Sequence, residues 1–411
     1  MKTSEPRLDA PPVRSISFWN RDFFLALFGY FFLFMSVTIF FLLPLFLKQF
    51  GPKESQVGLI MGIHSIMAIG IRPLFGRVID AKGGKRVALF GIVLLAATVP
   101  LFHFVGDAGI FPLLLRALTG LGWGISMTAT ITMCSDLAPA DRIAHSIGII
   151  GVAGLVSAAL GPMVGEEVIR RFGFPGLFNA SALFLVVSFI LVISAREVAV
   201  KVSAGAPSNL RVLRTIPSWA ILVIASMPVF HGAVRGTMVN FIALFANSIH
   251  IDRIGPFFVL FSIAAIMTRF GVGDLSDRYG RKRVIFPAAC LISLNLFVLS
   301  QVKSFIPFVV TGFVGGLGQG LIFPALSTYI IDCLGRENKG LAISLYLSLF
   351  DVGMGLGSPF FGWISDLFGY RVMYIFAGAL LLVSTLIFMA KAPSPAMCRN
   401  GESRIIPGGQ M

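Results

Sequence analysis

Long apolar stretches alternate with short polar segments along almost the whole chain. A helix of about 20 apolar residues crosses the hydrocarbon core of a bilayer, which is about 30 Å thick, and satisfies its own backbone hydrogen bonds there. The pattern therefore predicts twelve membrane helices. They lie over residues 23–47, 56–79, 87–105, 110–134, 142–168, 174–195, 218–248, 256–275, 284–302, 305–333, 340–363 and 370–390.

Polar residues remain at both ends and in the middle of the chain. The pattern predicts an N-terminal tail over 1–22, a six-helix bundle over 23–195, a linker over 196–217, a second six-helix bundle over 218–390 and a C-terminal tail over 391–411. The first apolar segment is about twice as long as the core of a signal peptide and has no small-residue cleavage site after it. We therefore expect this segment to remain in the protein as a membrane helix.

The composition supports the same conclusion. Of the 411 residues, 56% are hydrophobic and 13% are charged, whereas about a quarter of the residues in an average soluble domain are charged. This deficit excludes an ordinary soluble enzyme, a disordered regulator and a secreted module. The expected surroundings of the chain are a lipid bilayer.

The net charge of +14 comes from short runs of Lys and Arg between the apolar stretches. Such runs are typical of cytoplasmic loops of membrane proteins, so nucleic acid is not an expected partner. If the N-terminus lies inside, most basic residues fall on inside segments. We therefore expect both termini in the cytoplasm and a multi-pass protein of the plasma membrane, which is the inner membrane in a bacterium.

An internal repeat relates the two halves of the chain at an offset of 197 residues. The matching positions are Arg72 and Arg269, Gly76 and Gly273, Asp80 and Asp277, Gly83 and Gly280, and Gly161-Pro162 and Ser358-Pro359. Two homologous six-helix bundles with a site between them are the repeat architecture of secondary transporters.

The residues from Gly273 to Arg283, GDLSDRYGRKR, resemble the loop motif G-x-L-x-D-R-x-G-R-K/R of the major facilitator superfamily. The copy from Gly76 to Arg86 keeps the glycines, the aspartate and the basic end, but has Ala81 and Gly84 in place of two arginines. The resemblance covers roughly residues 20–392. It implies an all-α membrane protein with twelve transmembrane helices in two pseudo-symmetric bundles.

The resemblance also implies a gate on the cytoplasmic side. Asp80 and Asp277 are expected near the N-termini of the eleventh and fifth helices of the opposite half, where the helix dipole favours negative charge. The implied gating residues are Gly76, Asp80, Gly83, Lys85, Arg86, Gly273, Asp277, Arg278, Gly280 and Arg281.

The fifth segment is similar to a motif of proton-coupled exporters, G-x8-G-x3-G-P-x2-G-G, with Ser157 and Glu166 in place of two glycines. Small residues and prolines allow helices either to bend or to pack tightly, and both alternatives stay open. The residues expected to serve at this helix interface are Gly161, Pro162, Gly165, Gly357 and Pro359. Glu166 is expected either at a solvated rim or at a proton entry.

Ionisable residues inside a bilayer are costly, so each is a candidate for function unless it has a structural partner. Asp351 lies near the middle of the eleventh segment and is predicted to couple transport to protons, with Arg235 in the seventh segment as its possible partner. His231 precedes Arg235 by four residues and shares its face. Asp351, Arg235 and Asn240 are predicted to line the substrate cavity.

Three further arginines lie in apolar segments. Arg116, within RALTGLG, resembles the superfamily arginine linked to proton coupling, so Arg116, His231 and Asp351 form the predicted coupling set. Arg72 and Arg269 lie one turn before the loop motifs and are expected to snorkel or to anchor the gate. Because arginine outnumbers aspartate inside the segments, we expect an anionic or zwitterionic substrate.

These observations predict a secondary active transporter that works by alternating access and exports a small organic molecule in exchange for protons. The alternative is an importer of a sugar, an organic acid or another metabolite, since the fold does not encode direction. A membrane enzyme or a sensor would need a catalytic constellation or a large soluble domain. We therefore expect no enzymatic activity, no cofactor, no metal site and a monomeric protein with the bilayer, the substrate and protons as its partners.

Overall fold

The computed structural model describes residues 20–138, 142–197, 217–271, 275–335 and 338–393. These residues form α-helices joined by short turns, and they contain no β-strand. The first half comprises α1 (Arg21–Thr38), α2 (Leu43–Lys48), α3 (Glu54–Lys82), α4 (Gly84–Thr98), α5 (Ile110–Asp136) and α6 (Ile143–Ser194). The second half comprises α7 (Ser218–Ser248), α8 (Gly255–Gly271), α9 (Leu275–Tyr279), α10 (Arg281–Gln301), α11 (Phe305–Leu334) and α12 (Lys339–Lys391).

Within the described ranges, nine helical segments are long and apolar enough to cross a membrane. Two of them, α6 and α12, are interrupted by non-helical backbone at Gly173 and Gly369, so each supplies two crossings. The shorter apolar helix α8 supplies the remaining crossing. The predicted architecture of twelve membrane helices in two bundles is confirmed.

The turns of the two loop motifs show the internal repeat directly. Gly83 separates α3 from α4 with φ +87° and ψ 149°, and Gly280 precedes α10 with φ +90° and ψ 145°. Both positions favour glycine because a Cβ is strained at positive φ. Each turn is followed by a lysine that donates to the carbonyl after the last helix of its half: Lys85 to Ala195 at 2.7 Å, and Lys282 to Ala392.

The turns define two faces of the molecule. The motif side carries Asn20, Gly83, Gly280 and Ala392, and the far side carries the turns at Gly51, Gly173 and Gly369. The halves contact each other mainly through two helix pairs, α3 with α12 and α6 with α8. These two pairs are related by the repeat.

Glycines bring helices of the same half into backbone contact. In the second half, Gly232 of α7 lies against the backbone of Phe350 in α12, and Gly357 lies against Ala233. In the first half, Gly161 and Gly165 of α6 lie against Thr38, Ile39 and Leu42. For Gly161, Gly165 and Gly357, the contacts are therefore those of tight packing inside one half, and the backbone stays helical at Pro162 and Pro359.

Close packing between the halves is concentrated toward the far side of α3 and α12. Gly58 lies against the backbone of Ser358 and Pro359, and Gly362 lies against the backbone of Glu54. Pro359 is thus the residue of the predicted interface set that contacts the opposite half. Because side chains are absent at these glycines, the two backbones approach closely and close the far side.

Two carboxylates also connect the halves on the far side. Glu166 of α6 accepts hydrogen bonds from the backbone N–H groups of Ile254 at 2.5 Å and Gly255 at 3.0 Å, at the start of α8. Asp366 of α12 accepts from Glu54 at 2.5 Å and Ser55 at 3.0 Å, at the start of α3. Each acid caps a helix of the opposite half, where free N–H groups and the helix dipole favour negative charge. Glu166 is therefore bound to a helix end rather than solvated at a rim.

Replacing Gly232 by alanine tests the packing inside the second half. The added Cβ would lie 2.7 Å from the carbonyl carbon of Phe350, and overpacking of this kind costs about 1–3 kcal/mol. We expect a lower unfolding temperature of the purified protein in detergent. Gly70→Ala is the matched control, because no described atom lies within 4 Å of its Cβ position. Equal stability of the two variants would contradict the packing.

Replacing the capping acids together, as Glu166→Gln with Asp366→Asn, tests the far-side closure. The amides keep an acceptor oxygen but lose the negative charge, which contributes about 0.3–1 kcal/mol at a helix N-terminus, so the double variant should populate a far-side-open arrangement more than the wild type. Double electron–electron resonance between spin labels on the far-side turns measures the distances that check this shift in population.

Glu167→Gln is the control, because Glu167 pairs with Arg170 and Arg171 in its own helix. An unchanged distance distribution in the double variant would exclude a role of the two caps in closure.

Candidate functional site

An ion pair joins the two halves between the packed far side and the motif side. A guanidinium nitrogen of Arg72, in α3, donates to a carboxylate oxygen of Asp351, in α12. The side chains are 20% and 16% exposed, respectively, so the pair is partly shielded from solvent. Arg235 is the predicted partner of Asp351, but the structure pairs Asp351 with Arg72. The Arg72 side chain is engaged in this ion pair and does not snorkel to the membrane surface.

His231 is held in a buried network of the second half. Its Nε2 lies 2.8 Å from Oε1 of Gln319 in α11, and its Nδ1 lies 3.3 Å from the hydroxyl of Tyr346 in α12. The ring of Phe350 packs against the imidazole edge with 5.1 Å between the centroids. Both ring nitrogens thus have partners, and Tyr346 and Phe350 connect His231 to the segment of α12 that carries Asp351.

Arg235 and Asn240 lie on the same helix as His231 but have different neighbours. The guanidinium of Arg235 lies over the ring of Phe261 in α8, 4.5 Å from its centroid. Its Nη1 is buried and has no hydrogen-bond partner in the part of the chain that the structure describes. Asn240 is buried and donates to the hydroxyl of Ser358 at 2.6 Å, so its amide serves the contact between α7 and α12.

Arg116 is 5% exposed and lies in the middle of the first half. Its guanidinium is 5.8 Å from the ring centroid of Phe40. Its Nε is buried without a hydrogen-bond partner among the described residues. The neighbouring turn carries Thr119, whose hydroxyl lies 3.3 Å from Nδ1 of His64. The structure therefore places Arg116 apart from the His231 network, although both belong to the predicted coupling set.

Arg269 of α8 occupies the repeat position of Arg72. Its guanidinium lies over Phe323 of α11, 5.5 Å from the ring centroid, and its Nε is buried with no hydrogen-bond partner in the described ranges. Among those residues the structure shows no salt bridge for Arg116, Arg235 or Arg269. In the described membrane helices, Asp351 thus pairs with Arg72, and the structure shows no acid paired with the other three arginines.

The loop-motif residues lie together on the motif side. Arg281 donates to Asp332 at 3.0 Å and to Ser276 at 2.9 Å. Arg86 lies 3.5 Å from Glu197, in a solvent-exposed pair. Asp80 is exposed, and no described residue forms a hydrogen bond or ion pair with it. Gly273 and the side chain of Asp277 lie outside the described part of the structure. The two predicted latches stay predictions, and Asp80 is not engaged in this conformation.

The described residues contain no group of three or more His, Cys, Asp or Glu side chains that could hold a metal ion. The interior of this described part contains one ion pair between the halves, a buried histidine network and three arginines without counterions. Guanidinium groups without counterions can bind an anionic group, and a carboxylate inside the membrane domain can take up a proton.

Curated relatives cover most of the chain. The staphylopine export protein of Staphylococcus aureus strain Mu50 is 22% identical over 374 residues, which are 86% of this chain and 91% of the relative. The multidrug resistance protein MdtG of Rahnella sp. strain Y9602 is 24% identical over 395 residues, or 92% of this chain and 94% of the relative.

Solved structures show the same fold. The nucleoside transporter NupG aligns with a TM-score of 0.73 at 12% identity, covering 90% of this chain and 98% of that one. A bacterial homologue of the human lysosomal transporter Spinster, in an inward-facing and unoccupied conformation, aligns with a TM-score of 0.71 at 15% identity, covering 93% and 96%. At these identities the likeness supports the fold alone.

The family model of the Major Facilitator Superfamily matches residues 24–294 and 229–404, so it covers both bundles. The match agrees with the twelve helices, the repeated loop motif and the polar residues between the halves. The chain belongs to the major facilitator superfamily and is a membrane transporter, not an enzyme.

Proposed function

We propose that this transporter exports a small organic anion or zwitterion in exchange for protons, by alternating access between the two halves. The observation that carries the proposal is the ion pair of Arg72 with Asp351, because it joins helices of opposite halves inside the membrane domain. A carboxylate at that place can change charge when it takes up a proton, and the contact between the halves changes with it.

Protonation of Asp351 removes its negative charge and leaves Arg72 without a counterion, which weakens the contact between α3 and α12. Loss of the proton restores the pair. A ligand shifts the equilibrium between two arrangements only by binding them unequally. A proton that binds Asp351 when the pair is open, and leaves when the pair closes, therefore favours the open arrangement while it is bound. Coupled exchange requires such a dependence.

The charge of the interior supports the substrate class. Arg116, Arg235 and Arg269 have buried guanidinium atoms without hydrogen-bond partners among the described residues. An unpaired charge in a membrane interior is costly. A substrate that carries a carboxylate or a phosphate lowers this cost, whereas a cation raises it.

Two observations support export. The fifth segment resembles the exporter motif, and the two relatives above are an export protein and a multidrug resistance protein by name. In this proposal the motif side and both termini face the cytoplasm, as the distribution of Lys and Arg favours. The membrane would be the inner membrane of a bacterium, and the close far-side packing then faces away from the cytoplasm.

The proposal is tested in proteoliposomes whose lumen is made acidic, with a lumenal pH-sensitive dye and a panel of anionic, zwitterionic and cationic solutes. A solute that enters in exchange for protons makes the lumen more alkaline. We expect this response for an anion or zwitterion and its loss in Asp351→Asn, since the amide cannot take up a proton at neutral pH.

Asp252→Asn is the matched control, because Asp252 is exposed in the turn before α8. The Asp351→Asn protein should still exchange labelled for unlabelled substrate, which separates lost coupling from lost folding. A proton response of Asp351→Asn equal to that of the wild type would exclude Asp351 from coupling. A wild-type response to cations alone would exclude the proposed substrate class.

A further inference from the structure

We infer that Arg269 binds a carboxylate of the substrate. This carboxylate would pair with Arg269 as the carboxylate of Asp351 pairs with Arg72. This inference rests on the proposed function, because it assumes a transported anion.

The α8–α6 interface lacks the acid that the α3–α12 interface has at the equivalent position of the repeat. At the offset of 197 residues, Arg72 corresponds to Arg269, and Asp351 corresponds to Gly154. The α3–α12 interface therefore contains an arginine and its acid, whereas the related α8–α6 interface contains the arginine and a glycine. The neighbouring landmarks Gly161-Pro162 and Ser358-Pro359 lie about two turns further along the same helices, so the correspondence of Gly154 with Asp351 holds locally.

The face of α6 that meets Arg269 is lined by glycines and lies near a hydroxyl donor. A Cβ on Gly151, one turn before Gly154 on α6, would lie 2.8 Å from Nη1 of Arg269, so the guanidinium reaches this face of α6. At Gly154 the nearest atoms to a Cβ are the Tyr30 hydroxyl at 3.4 Å and a Phe34 ring carbon at 3.5 Å. These are ordinary van der Waals distances, and the Tyr30 hydroxyl can donate to a carboxylate.

Three glycines of α6 lie between the subsite and the motif side. Along α6 toward that side, Gly154 is buried, Gly151 is half-buried and Gly148 is exposed. At these three positions α6 carries no side chain. A substrate entering from the motif side would therefore meet Arg269 before it meets the closed far side. In the proposed orientation, this is the cytoplasmic route that an exporter needs.

The guanidinium is arranged for a carboxylate. One face of Arg269 is covered by Phe323, so its polar edge is the free part. The buried Nε lacks a hydrogen-bond partner among the described residues, and Nη1 points to the glycine face of α6. The outer edge of the guanidinium, formed by Nη1 and Nη2, can donate two parallel hydrogen bonds to a carboxylate, which a lysine cannot do.

Occupation of this subsite would complete the symmetry of the charges. A substrate carboxylate that accepts from Arg269 and from the Tyr30 hydroxyl would bridge α8 to α1 of the opposite half, much as the ion pair of Asp351 connects α12 to α3. The two interfaces would then hold one arginine and one carboxylate each. Loading of the substrate at one interface and protonation of Asp351 at the other thus change the two contacts separately, as an exchange mechanism requires.

The first experiment measures binding without a proton gradient, so that its outcome does not depend on coupling. The full chain is placed in nanodiscs of phosphatidylcholine, which keeps anionic lipid headgroups out, and its unfolding temperature is followed against succinate, citrate and tetraphenylphosphonium. We expect saturable stabilisation by a carboxylate. Arg269→Gln should weaken the apparent affinity about tenfold to a hundredfold, because charge-assisted hydrogen bonds are lost.

Arg269→Lys should fall between the wild type and Arg269→Gln, since it keeps the charge but loses the fork. Arg371→Gln, an exposed arginine near the far-side turn, should bind as the wild type does. Absence of stabilisation by either carboxylate, or equal affinity of the wild type and Arg269→Gln, would overturn the subsite. Proton exchange could still be observed in proteoliposomes in that case, so the two failures are distinguishable.

The second experiment supplies the missing acid and needs no external ligand. Gly154→Asp should place a carboxylate within reach of Arg269 and occupy the subsite, so the protein should unfold at a higher temperature than Gly154→Asn and lose its response to citrate. In the Arg269→Gln background, the advantage of Asp over Asn should disappear. A Gly154→Asp protein that responds to citrate as Gly154→Asn does would contradict the inference.

Discussion

A charge inside a membrane protein has to be paired, or lie where water or a ligand reaches it, and the contact of Arg72 with Asp351 follows from this constraint. It is a polar contact between halves that also meet through glycines, through helix ends and through the rings of Phe41 and Phe258. Because one carboxylate holds the contact, the strength of this contact depends on the charge of a single side chain. A contact of this kind can open, whereas a large apolar interface of the same length would not open readily.

The packing of the helices provides the rigid part of this arrangement. Inside each half, glycines such as Gly232 and Gly161 let backbones touch, and close contacts of this type replace the hydrophobic driving force that lipid removes. Between the halves, the far side is held by glycine contacts and by the carboxylates of Glu166 and Asp366 on helix N-termini. The halves can therefore move as units, with reversible polar contacts at their boundary.

The repeat explains both the likeness and the difference of the two interfaces. The turns at Gly83 and Gly280 and the donors Lys85 and Lys282 are equivalent, so the two halves are built in the same way. The equivalence stops at the interior charges, where the acid at Asp351 corresponds to the glycine at Gly154. In the proposed mechanism this departure from symmetry leaves Arg269 unpaired and therefore open to an anionic group of the substrate.

The sequence by itself determined the membrane helices, the repeat, the glycine turns and the excess of interior arginine, because these depend on local composition and spacing. It did not determine which arginine pairs with Asp351, since Arg72 and Arg235 lie on helices at different distances along the chain and only helix packing brings one of them to the acid. The same holds for Glu166 and Asp366, whose partners are helix N-termini of the opposite half. Contacts between distant segments are decided by tertiary structure, because a side chain's sequence neighbours do not specify what lies across an interface.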